Sequence, residues 1–319
     1  MKRFIAKHSP LFILAGLCLL LAVLSPEFRG LNNLQSVAQR TSIVGIIAVG
    51  EVLVILTAGI DLSVGSVAAV SAVVACLSIK DYGFPVPLGV AAGAATGLLC
   101  GCINGVLSTR GRIPPFIVTL GMMMAARGMT LILSGAQPVF NLPDSFLWLG
   151  GTHRWSDMTT AWWIPVITTC VIAVATAVML NFTRFGRAIY AIGGNLQAAR
   201  LSGLPVDLVR IGAFAMSGML AGFAGVMLAS YTSVAPPNAA EVYELYAIAA
   251  CVIGGASLMG GEGGAIGCLA GALIMSVLRN YCNLEDINVY WQQVIVGALL
   301  VVLVFYDNYR KRKAGLLTE

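Results

Sequence analysis

Ten stretches of apolar residues, most of them close to membrane-spanning length, punctuate this chain near 10–26, 43–59, 64–79, 86–107, 115–134, 162–180, 209–233, 245–260, 264–280 and 290–306. No other feature restricts the fold as strongly. A run of about 20 apolar residues suits a helix crossing a bilayer, where backbone N–H and C=O groups find no water and must pair within the segment. The chain is 58% hydrophobic and 10% charged, with a mean hydropathy of +0.88, whereas soluble domains carry roughly a quarter charged residues. A soluble enzyme is excluded. The expected fold is an all-α integral membrane protein, a polytopic bundle of about ten transmembrane helices forming one domain over 1–319. Small residues crowd the runs, as in GVAAGAATGLLCGCING at 89–105, and let helices approach closely.

The N-terminal stretch MKRFIAKHSPLFILAGLCLLLAVLSP has the basic start and apolar core of a secretory signal. It lacks a small-x-small exit, and more spans follow, so it reads as an uncleaved first helix. An even number of spans puts both termini on one side. That side would hold Lys2, Arg3, Lys7, Arg110, Arg112, Arg184, Arg187, Arg200, Arg210, Arg310, Lys311, Arg312 and Lys313; the other holds Arg29, Arg40, Lys80 and Arg154. The positive-inside rule makes the first side cytoplasmic. The acids Glu27, Asp81, Asp144, Asp157, Glu241, Glu244, Glu285 and Asp286 collect outside. Topology therefore accounts for the net charge of +5, and with no basic-aromatic patch outside the apolar runs, nucleic acid is not an expected partner. The long outer loop at about 135–161 carries Trp148 and Trp155, with Trp162 and Trp163 following. They read as an interfacial belt or, alternatively, as a platform for a sugar ring.

Several chemistries are absent. Cys18, Cys76, Cys100, Cys102, Cys170, Cys251 and Cys268 lie within apolar runs without ligand or disulfide spacing. His8 and His153 are far apart, so no metal site is expected. The Gly-rich stretch GGASLMGGEGG at 254–264 has no lysine and follows no strand, and no G-x-x-x-x-G-K-[ST] loop occurs. With no H-E-x-x-H and no G-x-S-x-G elbow, no catalytic residue is assigned and no cofactor is expected in this chain.

Polar residues inside the runs are the candidates for a translocation path or gate. A charged side chain at a helix centre costs roughly 2.5–3.5 kcal/mol on insertion scales unless it is paired or wet. Glu51, Asn104 and Arg127 sit within runs, and a Glu51–Arg127 pair is one way to satisfy two of them. Otherwise they staple helices together. Arg279, near a run's end, is expected to snorkel to the interface. In GIDLSVGS at 59–66, Gly59 and Gly65 interrupt a helix. Either Asp61 or Ser63 caps the next helix across a tight turn, or the broken segment lines the path. GASLMGG at 255–261 shares the G-x-x-L-x-x-G skeleton and falls on the same side, which does not fit a simple inverted repeat. Among the outer acids, Glu241, Glu244, Glu285 and Asp286 are candidates for docking a soluble partner.

The polar segment at about 181–208 contains GGNLQAARLSGLP. Asn195 can cap a helix, Gly203 suits the position past its end, and Pro205 prevents continuation. About two turns result, either floating on anionic headgroups or forming a rigid knob for a soluble partner. QAARLSG resembles the E-A-A-x-x-x-G loop of permeases of ABC importers, with Gln197 in place of Glu. GGNLQAARLSGL is more specifically similar to the loop of bacterial monosaccharide (ribose, xylose, galactose type) permeases. ILTAGIDLSVGS, INGVLSTRGRIPPFIVTLG, RFGRAIYAIGGN and YAIAACVIGGASLMGGEGGAIG follow in that family's order and spacing, so the resemblance covers nearly the whole chain. It implies a multi-pass inner-membrane subunit that works with a second permease (identical or different), with ATP-binding subunits that carry the ATP and Mg, and with a periplasmic sugar-binding protein. Asn195, Gln197, Ala198, Ala199, Arg200 and Gly203 would then couple the permease to the ATPase, with Arg200 the charged residue available where Glu is usual. The alternatives are an ABC permease for a polyol, furanone signal or branched-chain amino acid, and an ion-coupled secondary transporter relying on Glu51 or Asp61.

Overall fold

In the computed structural model, which describes residues 2–151 and 161–313, the apolar runs are helices and no strand occurs among the described residues. In chain order they are α1 (Lys2–Leu24), α2 (Leu31–Leu56), α3 (Val64–Lys80), α4 (Val86–Thr109), α5 (Pro115–Ser134), α6 (Asp144–Leu147), α7 (Trp163–Phe182), α8 (Arg184–Gly194), α9 (Leu196–Leu201), α10 (Val206–Thr232), α11 (Tyr243–Ile253), α12 (Ala265–Leu284) and α13 (Val289–Lys313). Each of the ten runs falls on one of them. Six helices are long and apolar enough to cross a membrane (α2, α4, α5, α7, α10 and α12), and shorter apolar helices accompany them. The protein is a polytopic helical membrane protein. Trp155, one of the expected belt residues, lies outside the described residues with His153, Arg154 and Asp157. So do the side chains of the basic tail.

Helix α2 is the axis of the bundle. From Thr41 to Leu56 every residue is buried, which fits a helix that is apolar all round. It starts at Leu31, twelve residues before the apolar run begins. Its first turns are polar because they pack on protein. Asn33 and Asn280 of α12 exchange amide hydrogen bonds of 3.0 and 2.7 Å. The Gln39 amide donates to the carbonyls of Gly150 and Gly151, each at 3.2 Å.

Around α2, glycine sets the packing. The residues that α4 buries are small or polar: Gly89, Gly93, Gly97, Gly101, Asn104, Gly105, Ser108 and Thr109. This stripe, mostly four residues apart, lies against α10 running the other way, Gly97 opposite Gly218 and Gly222, and Gly101 opposite Phe214. The remaining faces of α4 expose Leu98, Leu99 and Ile103, as a surface turned to lipid should. Helix α10 in turn touches α2 and α3.

The run expected at 245–260 is only half a span. Helix α11 ends at Ile253, because Gly255 turns left-handed with φ +90° and Gly254 packs so closely on Gly267 that no side chain fits. Ahead of α11, residues 233–242 are irregular, with Ser233, Ala240 and Val242 at positive φ. An isolated bridge ties Val139 to Ala235.

Replacing Gly97 or Gly218 with Val would drive a side chain into the facing backbone carbonyl. We expect each substitution to destabilise the fold by about 1–3 kcal/mol or more, read as a lower melting temperature in detergent. Gly121→Ala, where nothing lies within 4 Å, should show no loss.

Candidate functional site

Helix α8 starts where the Thr183 hydroxyl accepts from the Gly186 N–H at 3.1 Å. Phe185, Ala188, Ile189 and Ile192 lie on its packed side. The Tyr190 hydroxyl donates to the Gly263 carbonyl at 2.8 Å, and burial pushes its phenol pKa up, so it stays a neutral donor. At the helix end, Gly193 lies where a Cβ would strike the Leu56 carbonyl and the Gly261 nitrogen. The Gly261 N–H itself donates to that Leu56 carbonyl at 3.0 Å. The ends of α2 and α8 and the 254–264 loop therefore meet backbone on backbone, bringing the two G-x-x-L-x-x-G turns side by side.

From this junction α9 projects. The Asn195 side chain accepts from the Ala198 N–H at 2.9 Å, capping the helix start. At the other end the Gly203 N–H reaches Arg200 and the Leu204 N–H reaches Ala199, at 3.0 and 3.2 Å, with Gly203 at φ +76°. That is the Schellman closure, in which glycine adopts the left-handed residue. Ala199 is buried, while Gln197, Ala198 and Arg200 are exposed. Leu201, which sequence reasoning passed over, is 91% exposed. Helix α8 was also missed as an element; the spacing of Phe185, Ala188, Ile189 and Ile192 is its signal.

The polar residues inside the bundle form a chain of hydrogen bonds. One Glu51 carboxylate oxygen accepts from the Asp61 N–H at 3.0 Å. Asp61 accepts from the Ser63 N–H at 2.9 Å and the Ser63 hydroxyl at 2.6 Å, and the Asn104 amide donates to that hydroxyl at 2.9 Å. All four side chains are buried. Asp61 thus closes the α2–α3 turn upon itself and is hidden from lipid, and Ser63 makes no cap with its side chain. The second Glu51 oxygen and the Asn104 carbonyl oxygen have no partner.

The Glu51–Arg127 pair does not form. Arg127, on α5, points instead at the irregular segment before α11, donating to the carbonyls of Pro237 and Ala239 at 3.0 and 2.9 Å. The broken segment owns carbonyls that no helix satisfies, and one guanidinium nitrogen, Nη1, meets two of them at once. Among the acids taken as outer docking residues, Glu241, Glu285 and Asp286 are exposed. Glu244 is not free: it belongs to the first turn of α11, and its carboxylate packs against Gly65 in the first turn of α3. Arg279 does not snorkel either. Its guanidinium lies over the Tyr243 and Tyr246 rings, 5.8 and 5.2 Å from their centroids. Among the described residues no cluster of acids, cysteines or histidines is arranged to hold a metal.

The sequence pattern of a family described as branched-chain amino acid transport system / permease component matches residues 33–304. The ribose import permease protein RbsC of Escherichia coli (strain K12) is 39% identical over 314 residues, covering 97% of this chain and 96% of the relative. The L-arabinose ABC transporter permease protein AraH of Azospirillum brasilense is 38% identical over 293 residues, covering 92% and 85%. The xylose transport system permease protein XylH of Escherichia coli (strain K12) is 34% identical over 339 aligned positions, covering 89% and 86%. No solved structure matches.

Removing the Arg127 guanidinium leaves the Pro237 and Ala239 carbonyls without their side-chain donor. We expect Arg127→Met to destabilise the protein by about 1–3 kcal/mol per lost partner, visible as a lower melting temperature in detergent. An unchanged melt would show that water satisfies those carbonyls.

Proposed function

We propose, from the premise that this chain belongs to the branched-chain amino acid transport system / permease component family, that it is the membrane permease of an ATP-driven sugar importer. The observation that carries this reading is similarity along nearly the full length to permeases named for ribose, arabinose and xylose. A monosaccharide is the substrate class those names share. The chain resides in the bacterial inner membrane with both termini in the cytoplasm, and two permease subunits enclose the path. ATP and Mg belong to separate ATP-binding subunits, and a periplasmic sugar-binding protein delivers the solute.

The geometry of α9 supports the coupling role. Both ends of this helix are closed by its own side chain and backbone, so it stays rigid at small size. Leu201 and Arg200 give it an apolar tip beside a cation, suited to a pocket in an ATP-binding subunit, and the buried Ala199 seats it on the bundle. Gln197 is exposed and leaves the charged contact to Arg200. Because Gly193 lies directly against Leu56 and Gly261, displacement of α8 and α9 bears on α2 and on the α11–α12 loop. A headgroup float would not require such a seat.

The ion-coupled reading draws on Glu51, whose unpartnered carboxylate oxygen is buried in the bundle. Liposomes separate the two. With its ATP-binding and sugar-binding partners, the permease should accumulate sugar when ATP is supplied; alone, it should neither hydrolyse ATP nor accumulate sugar. Uptake by the chain alone, driven by an ion gradient and lost in Glu51→Gln, would overturn the importer assignment. Gly203→Val, strained by its left-handed backbone rather than by crowding, and Arg200→Glu should leave insertion intact but abolish ATP-driven uptake. Asn195→Ala, which removes only the cap, is expected to cost about 1 kcal/mol of helix stability and to reduce uptake partially.

A further inference from the structure

In the half of the bundle away from α9, a cavity of about 250 Å³ opens among α2, α10, α11 and α12. Arg40, Tyr231, Tyr243, Tyr246, Ser276 and Arg279 are on its wall. It continues into a second cavity of about 310 Å³ that shares Tyr243, Tyr246 and Arg279 and reaches Asn238, Glu241 and Gln293.

Four independent features make this a built site. The first is backbone: residues 233–242 are irregular although Ala235, Ala239 and Ala240 are buried. Non-helical backbone among membrane helices persists where it is enclosed by protein or lines a water-filled cavity, and broken helices mark the solute sites of transporters. The second is strain. Ala240 and Val242 line the second cavity at φ +52° and +69°. A β-branched residue in that region is a genuine outlier, and such outliers cluster at ligand clamps. The third is Arg279. Its guanidinium sits over the Tyr243 and Tyr246 rings, which are edge-to-face with each other, and none of the described residues accepts a hydrogen bond from its N–H groups, which leaves those donors for a ligand. The fourth is Ser276, whose buried hydroxyl has no partner.

We propose that this crevice is the solute site of the permease: a single-ring, uncharged polyhydroxylated solute stacks against Tyr243 and Tyr246 while Arg279 donates to adjacent hydroxyls. The size fits, since about 250 Å³ lies just below the roughly 300–1,000 Å³ of pockets for drug-sized ligands. The polarity fits too. A guanidinium and the Glu241 carboxylate on one continuous wall suit a ligand that both donates and accepts and carries no net charge. Tyrosine supplies a large rigid face with a polar tip. The assignment rests on the sugar-import reading and sharpens it, placing part of the discrimination between sugars in the permease itself.

The test uses the complete importer in liposomes, with ribose, arabinose and xylose each supplied at a concentration that saturates the sugar-binding protein. Arg279→Lys keeps the charge and loses the planar fork. It should change the ratio of uptake rates between sugars by about tenfold, the scale of one hydrogen bond's net contribution. Tyr243→Leu should change the ratio as well, and Tyr243→Phe, which keeps the ring, should restore it towards wild type. Ratios that stay at the wild-type value in Arg279→Lys and Tyr243→Leu, or a fall common to all three sugars, would overturn the site while leaving the importer assignment standing. If Arg279→Lys fails to assemble, the Tyr243 pair decides alone. A wild-type importer that moves none of the three sugars would instead remove the sugar-import reading, and the ligand with it.

Discussion

Backbone hydrogen bonding in the absence of water is the constraint on which the rest of this structure depends. Helices meet it by themselves, and wherever the chain leaves the helical path it must find other partners. Three such places carry the function-bearing geometry. At the α2–α3 turn, Asp61 and Glu51 supply acceptors for exposed N–H groups. In the 233–242 segment one Arg127 nitrogen, Nη1, donates to two carbonyls. In the 254–264 loop the Gly261 N–H uses the last carbonyls of α2 and Tyr190 reaches Gly263. These ionisable side chains thus serve irregular backbone rather than one another.

This arrangement explains why glycine is placed as it is. Where α4 meets α10, small residues let two helices pack through backbone contact, which compensates in lipid for the missing hydrophobic drive between helices. At Gly193 the same closeness serves a different end. A side chain there would separate α8 and α9 from α2, which now meet without a flexible intermediary. Gly193 is one residue from the end of α8, Leu56 is the last residue of α2, and Gly261 lies in the loop before α12.

Much of this was legible in the sequence because it follows from local rules. The apolar runs located the helices, and Asn195 with Gly203 marked both ends of α9 through capping alone. The small-residue stripe at 89–105 announced a close interface. What escaped depended on neighbours distant in the chain. The polar start of α2 looked like loop, since nothing near residue 33 announces Asn280. Arg127 was matched with the wrong group because opposite charge is visible in a sequence and unsatisfied carbonyls are not. Glu244 read as a surface acid from its place in an apparent loop, when the half-length of α11 brings it against α3. Helix α8 was hidden by Arg184 and Arg187, which break the apolar pattern that otherwise defines helices in this chain.

Helix α2 connects these observations. Its last residue, Leu56, lies against the α8–α9 junction, while Arg40, Ile43 and Val44, towards its middle, line the crevice holding Arg279. Between them the helix is buried on every side and close-packed, so it moves as a rod or does not move at all. A rod that meets α8 at its end and borders the cavity along its middle spans both regions without a chain of switching side chains. Helix α11 complements it. Being half a span, it presents its start to the crevice and its end to the glycine loop beside Leu56, so α2 and α11 both end at the same junction. The backbone-level contacts at Gly193 and Gly261 join α2, α8 and the α11–α12 loop at that junction.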